Sequence, residues 1–136
     1  MKLLIQDLCA RLPYGIKVLY NGHIKTVQYI EPLYNEVKLV DASNYTVGIS
    51  EIKPYLQPMS SMTEEEKNEF DSLMYLVKEN CINAYRNGGY ALSFTQLNDW
   101  LNKKMFDYRG LISKNLAVAV TDSNNPYAHT DNGDQL

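Results

Sequence analysis

Two cysteines, two histidines and a block of acids are the side chains with which this chain could attempt chemistry. Cys9 and Cys81 lie far apart and form no CxxC pair; helical spacing puts both on apolar faces, so both are expected as buried free thiols. His23 falls in a turn and His129 near the end of the chain. Neither has a second metal ligand at useful spacing, so no zinc site and no cysteine–histidine catalytic pair is expected. Glu64, Glu65, Glu66, Glu69 and Asp71 crowd one stretch, where solvated charge at a helix start explains them. There is no GxxxxGK[ST], GxGxxG or HExxH. The expectation is a protein that is not an enzyme and has no catalytic residues, no metal and no cofactor.

Binding chemistry has two candidate sets. In the stretch W100-L-N-K-K-M-F-D-Y-R-G-L-I112, with Lys114 just beyond, basic residues gather with only Asp107 to offset them. Lys104, Tyr108, Arg109 and Lys114 are the candidate partner-binding residues, since aromatic rings and arginine bring large contact area with a polar handle. Trp100 and Phe106 read as core, and Asp107 beside Arg109 suggests a local ion pair. The second set is Lys17, Tyr20, Lys25, Tyr29 and Lys38, aromatic and basic residues interleaved along strands. Small β-barrels use such residues to stack bases and hold phosphates. Tyrosine is also a favoured strand residue, so packing is the competing account. A helix-turn-helix over residues 94–115 is disfavoured because its second segment is too short to be a recognition helix.

The elements that must position these residues follow from periodicity. LLIQDLCAR (3–11) has helical spacing and stops at Pro13 and Gly15. IKVLY, HIKTVQYI, EVKLV and YTVGIS (16–20, 23–30, 36–40, 45–50) read as short strands, and Asn21-Gly22 as a type I′ hairpin turn. Further turns fall at Pro32–Asn35 and Asp41–Asn44. Closely linked strands predict a small antiparallel SH3-like β-barrel or curled meander, with an open sheet capped by the first helix as the alternative. Residues 63–87 carry Phe70, Leu73, Met74, Val77, Cys81, Ala84 and Tyr85 on one helical stripe, with Thr63 and Glu66 as a capping box and Asn87-Gly88-Gly89 as the stop. Tyr90-Ala91-Leu92 reads as a short strand, 94–104 as a helix capped by Ser93 and Gln96, and LAVAV (116–120) as an extended segment. The fold class is α+β: 1–57 a β-barrel-like half, 58–120 a helical half with one long helix and shorter ones, and 121–136 a disordered tail that the fold can lose. In IKPYLQPMSSM, Pro54 and Pro58 bar a helix, yet Ile52, Tyr55, Leu56 and Met59 are too apolar for a free linker. They are expected to clasp the halves together.

The totals bound the class. The chain has 136 residues, 45% of them hydrophobic and 21% charged, enough to bury a core. Its net charge of -3 resides in the last residues, because 1–120 holds 13 acids and 13 bases. A balanced body exerts no bulk pull on nucleic acid. No apolar run approaches the roughly 18 to 20 residues of a membrane span. MKLLIQDLCARLP lacks the apolar length and cleavage site of a secretory signal, so a cytoplasmic protein is expected.

The strings KPYLQPMSSMTEEE, LCARLPYGIKV and DWLNKKMFDYRGLI together resemble a family of uncharacterised proteins common in gut Bacteroidetes genomes, their phages and integrated elements. The resemblance covers most of 1–117. Relatives often carry a base at Gln57 and a glycine at Asn115; asparagine can also take the left-handed cap conformation there. The resemblance implies a phage-linked cytoplasmic protein and transfers no catalytic residue. The reading is a non-enzymatic protein-interaction or adaptor protein, monomeric or weakly dimeric, with an unknown protein partner. A nucleic-acid-binding accessory protein is the alternative.

Overall fold

The computed structural model describes residues 1–41, 45–82 and 89–128, without the side chains of 81, 82 and 89–91. Outside these lie the Cys81 side chain, Ala84, Tyr85, the stop at Asn87-Gly88, most of the Asp41–Asn44 turn, and the chain from His129 onward.

The chain opens with helix α1 (Ile5–Cys9) and a 3-10 turn at Leu12–Tyr14. The sheet strands are β1 (Lys17–Tyr20), β2 (His23–Glu31), β3 (Glu36–Leu39), β4 (Val47–Gly48), β5 (Lys53–Leu56) and, much later, β6 (Val118–Ala119). Between β5 and β6 come two helices, α2 (Glu64–Ile82) and α3 (Gly89–Lys103). The strand order is β4-β3-β2-β1-β5-β6; β5 and β6 are parallel and every other pair is antiparallel. The α+β class stands, but among the described residues the sheet is open and the SH3-like barrel is not formed. Its edge strands β4 and β6 are two residues long and do not pair with each other.

Local chemistry explains the turns. Asn21 and Gly22 both have positive φ, 49° and 77°, as the tight β1–β2 hairpin requires. A bulge between Val27 and Tyr29 shifts the β2–β3 register and keeps Val27, Val37 and Leu39 on the buried face. Asn115 takes φ 59° and closes the 3-10 turn at Ile112–Lys114.

The clasp is itself a strand. Ile52, Tyr55 and Leu56 are buried, β5 pairs with β1 on one side and β6 on the other, and so the sheet draws strands from both expected halves. Residues 1–57 and 58–120 are therefore interleaved. The main core joins Leu8 of α1, Val18, Val27, Val37 and Leu56 of the sheet, and Met105, Leu111 and Ala117 of the later chain. A second cluster gathers Leu97, Leu101 and Phe106 with Phe70, Leu73, Met74, Val77, Met59, Met62 and Trp100.

Two helical expectations need correction. Thr63 and Glu66 do form the capping box at the start of α2, each accepting the other's backbone N–H. At the second helix, however, α3 begins at Gly89 and runs through Tyr90–Leu92, so no strand forms there. Ser93 lies inside the helix, buried, and its hydroxyl accepts from Asn80 across the hairpin instead of capping. Packing of α3 along α2 outweighs a local capping signal.

The chain after Val120 is also placed, as far as Ala128. Pro126 is buried and Tyr127 packs against the main core. The Tyr127 hydroxyl accepts from Lys17 N–H at 3.2 Å and donates to Tyr55 C=O at 2.8 Å. Continuing the β1–β5 register past Val18↔Pro54 would set Lys17 opposite Tyr55. One phenolic oxygen thus stands where the next ladder hydrogen bond would form. Residues 121–128 are a strap, not a disordered tail.

Candidate functional site

The partner-binding set is taken up mostly by the fold. Arg109 was expected beside Asp107, but its guanidinium reaches Asp7 of α1, with Nε to Oδ1 at 2.8 Å and Nη2 to Oδ2 at 3.1 Å. The Asp7 hydrogen bond and charge raise the Arg109 pKa. Asp7 is also occupied by the Leu4 N–H. Asp107 instead accepts the backbone N–H groups of Leu111 and Ile112, each at 2.8 Å, and so shapes the turn that follows. Tyr108 remains 38% exposed at its rim, while its hydroxyl donates to Asn102 and its ring lies 5.0 Å from the Arg11 guanidinium. Lys114 is exposed and lies away from the others along the chain.

Arg11 is the residue that sequence reasoning missed. It is 1% exposed, and its two terminal nitrogens donate to Asp7 C=O and Phe106 C=O at 2.6 and 2.7 Å. Burial lowers its pKa, and Tyr108, Asp7 and Asp107 act in the opposite direction. It fastens α1 to the chain leaving α3, since the Phe106 carbonyl lies 95 residues further along the sequence. An arginine two residues before a proline gives no local sign of that role.

The nucleic-acid set is divided by strand alternation. Val18 pairs with Lys25 and Tyr20 with His23, so Lys25 and Tyr20 share the core-side orientation of Val18. Lys17, Tyr29 and Lys38 lie on the opposite face, Tyr29 directly across from Lys38. Tyr20 packs against the core, and Lys38 donates to the Leu39 carbonyl. A continuous stacking face does not result.

One residue from each set meets at a single cleft of about 570 Å³. Its walls are Tyr14 of the first 3-10 turn, Lys17 at the start of β1, Thr26 of β2, Gln57 after β5, Lys103 and Lys104 at the end of α3, and Tyr127 of the strap, with Glu66 opposite. Lys17 Nζ is held by Thr26 Oγ1 at 2.7 Å. Lys104 Nζ stands 4.0 Å from Glu66, whose other oxygen accepts the Thr63 N–H. The Gln57 amide donates to Lys104 C=O, and backbone bonds run from Gln57 N–H to Met105 C=O and from Asp107 N–H to Gln57 C=O. Met105, at φ 61°, makes the left-handed turn that lets the chain leave α3 beside Gln57. The lysines therefore project from anchored backbone. Among the lining residues three lysines face one glutamate, a net charge of +2 on a chain whose total is negative.

Cys9 is exposed, against expectation, because α1 ends there and turns Leu8 inward. Among the described residues no group of His, Cys, Asp and Glu could hold a metal ion, and no helix is long and apolar enough to cross a membrane. No family model matches the chain, and no curated protein or solved structure matches it either.

Proposed function

We propose that this is a non-enzymatic interaction protein that holds an anionic segment of a protein partner in the cleft between β1, the end of α3 and the strap. The observation that carries the reading is the convergence of Lys17, Lys103 and Lys104 against one carboxylate, Glu66. Local cationic focusing in a concave site raises the concentration of an anionic ligand without making the whole chain basic. Lys103, in the last turn of α3, also complements the helix dipole, which accounts for its presence there but not for the company of Lys17. Tyr108 and Arg109 support the site from behind, by tying the chain that leaves α3 to α1, and are not themselves the contact.

The nucleic-acid reading keeps one specific observation in its favour: Tyr14, 40% exposed, lies at the same cleft as Lys17 and offers a stacking ring. A phage-linked setting rests on the family resemblance alone. The test is fluorescence polarisation of the full chain with a labelled glutamate-rich peptide and with a single-stranded oligonucleotide of equal charge. The proposal expects peptide binding that weakens with salt and is lost in Lys103→Glu/Lys104→Glu. Tighter binding of the oligonucleotide would transfer the cleft to the second reading.

A further inference from the structure

Resting on that reading of the cleft, we infer that the group it takes is a phosphate monoester on the partner segment, in preference to a carboxylate. Three features of the lining point there. Its cations are all ammonium groups, Lys17, Lys103 and Lys104. Lysine binds phosphate as a point charge, and a tetrahedral phosphate accepts such charges from several directions. The arginines nearest in the fold, Arg11 and Arg109, are committed to carbonyls and to Asp7.

Charge balance is the second feature. Three lysines against Glu66 leave +2, and a phosphate monoester carries about -1.5 to -2 at neutral pH where a carboxylate carries one charge. A single carboxylate would leave the lysines repelling one another. The third is the supply of neutral polar groups around those charges. Tyr14, Thr26, Gln57 and Asn125 all line the cleft and can complement the several oxygens of a phosphate. Of these, Thr26 already accepts from Lys17, which fixes the direction from which that ammonium approaches. The cleft volume of about 570 Å³ admits a phosphorylated side chain together with its backbone.

The experiment uses the full chain and two short peptides in neutral flanking sequence, identical except that one carries phosphoserine and the other glutamate. Binding is followed by amide chemical shifts. The phosphoserine peptide is expected to bind roughly tenfold or more tightly at pH 7.5, in keeping with a doubled ligand charge. Its affinity should fall as pH drops through about 6, where the phosphate takes a proton. Shifts should centre on Lys17, Lys103, Lys104 and Asn125, and Lys103→Glu and Lys104→Glu should each weaken binding while the spectrum stays folded. Inorganic phosphate should compete at the same signals. Equal affinity for the two peptides overturns the phosphate inference and leaves the anionic-segment reading standing. Binding of neither peptide removes both, and so do shifts that ignore the lysine variants.

Discussion

The sheet body and the α2–α3 hairpin are sealed very differently. In the body, Leu8, Ile16, Val18, Val37, Leu56 and Leu111 are completely buried, and strap, α1 and the segment after α3 all close on them. Along α2 no described side chain is buried; Phe70, Leu73, Met74 and Val77 are half covered by α3, and Tyr75 and Leu76 are exposed. A helix with one partner can cover only one stripe, whereas a sheet strand has neighbours on both edges and a layer on its face. Stability should therefore concentrate in the body, with the hairpin opening locally at lower cost.

The contrast is sharpest at Leu56, which stands at 0% exposure on β5, opposite Ala119 of β6. Leu56→Ala should cost about 2 to 5 kcal/mol by denaturant unfolding. It should lower one cooperative transition, since β5 pairs with strands from both expected halves. Two separate transitions in the unmodified protein would falsify the interleaved sheet.

Next in size is Arg11→Met, which keeps bulk but withdraws both donors from the Asp7 and Phe106 carbonyls. A loss of about 2 to 4 kcal/mol is expected, because buried acceptors are left without partners. A neutral outcome in chemical denaturation would mean that apolar packing replaces the guanidinium at no loss.

Tyr127→Phe tests the strap and should cost about 1 to 3 kcal/mol, since it strands the Lys17 N–H and the Tyr55 C=O. Burial pushes the Tyr127 hydroxyl up to about 12. Its neutral form is thus favoured in the fold relative to the ordinary tyrosine value of about 10. The stability this provides is complete below pH 10 and is lost as pH rises through about 12. Melting in alkaline buffer should show that decline in the unmodified chain, and the phenylalanine variant should lack it.

The smallest effect is expected in the hairpin. Leu73→Ala removes a half-buried side chain and should cost about 1 kcal/mol or less, well under Leu56→Ala. Hydrogen exchange supplies the direct comparison: amides in the second half of α2 should exchange well before those of β1 and β2. Equal protection in both regions would abolish the distinction.

Much of this architecture was legible in the residues. Asn21-Gly22 specified its turn because few residues tolerate positive φ, and Thr63 with Glu66 specified a helix start because both partners lie within one turn. Alternation and helical stripes located β1 to β3 and α2 for the same local reason. The apolar residues of 52–59 signalled that the segment packs, though not that it becomes a strand.

What tertiary structure decided involves partners far apart in sequence. Strand pairing set the sheet open and joined β5 to β6, a choice that alternation cannot rank because each strand has the same pattern in a barrel or an open sheet. Asp7 met Arg109 and Arg11 met Phe106, 102 and 95 residues apart in sequence, so the expected Asp107–Arg109 pair lost to a better-placed carboxylate. Residues 121–136 read as too polar to order, yet over 121–128 the Tyr127 ring and hydroxyl meet an unpaired donor and acceptor presented by β1 and β5. Lys17 and Lys104 entered the sequence as members of different candidate sites, and only the return of the chain from α3 to Gln57 brought them to one cleft. Local signals report the conformational preferences of a few adjacent residues; a site assembled from β1, α3 and the strap is a property of long-range packing.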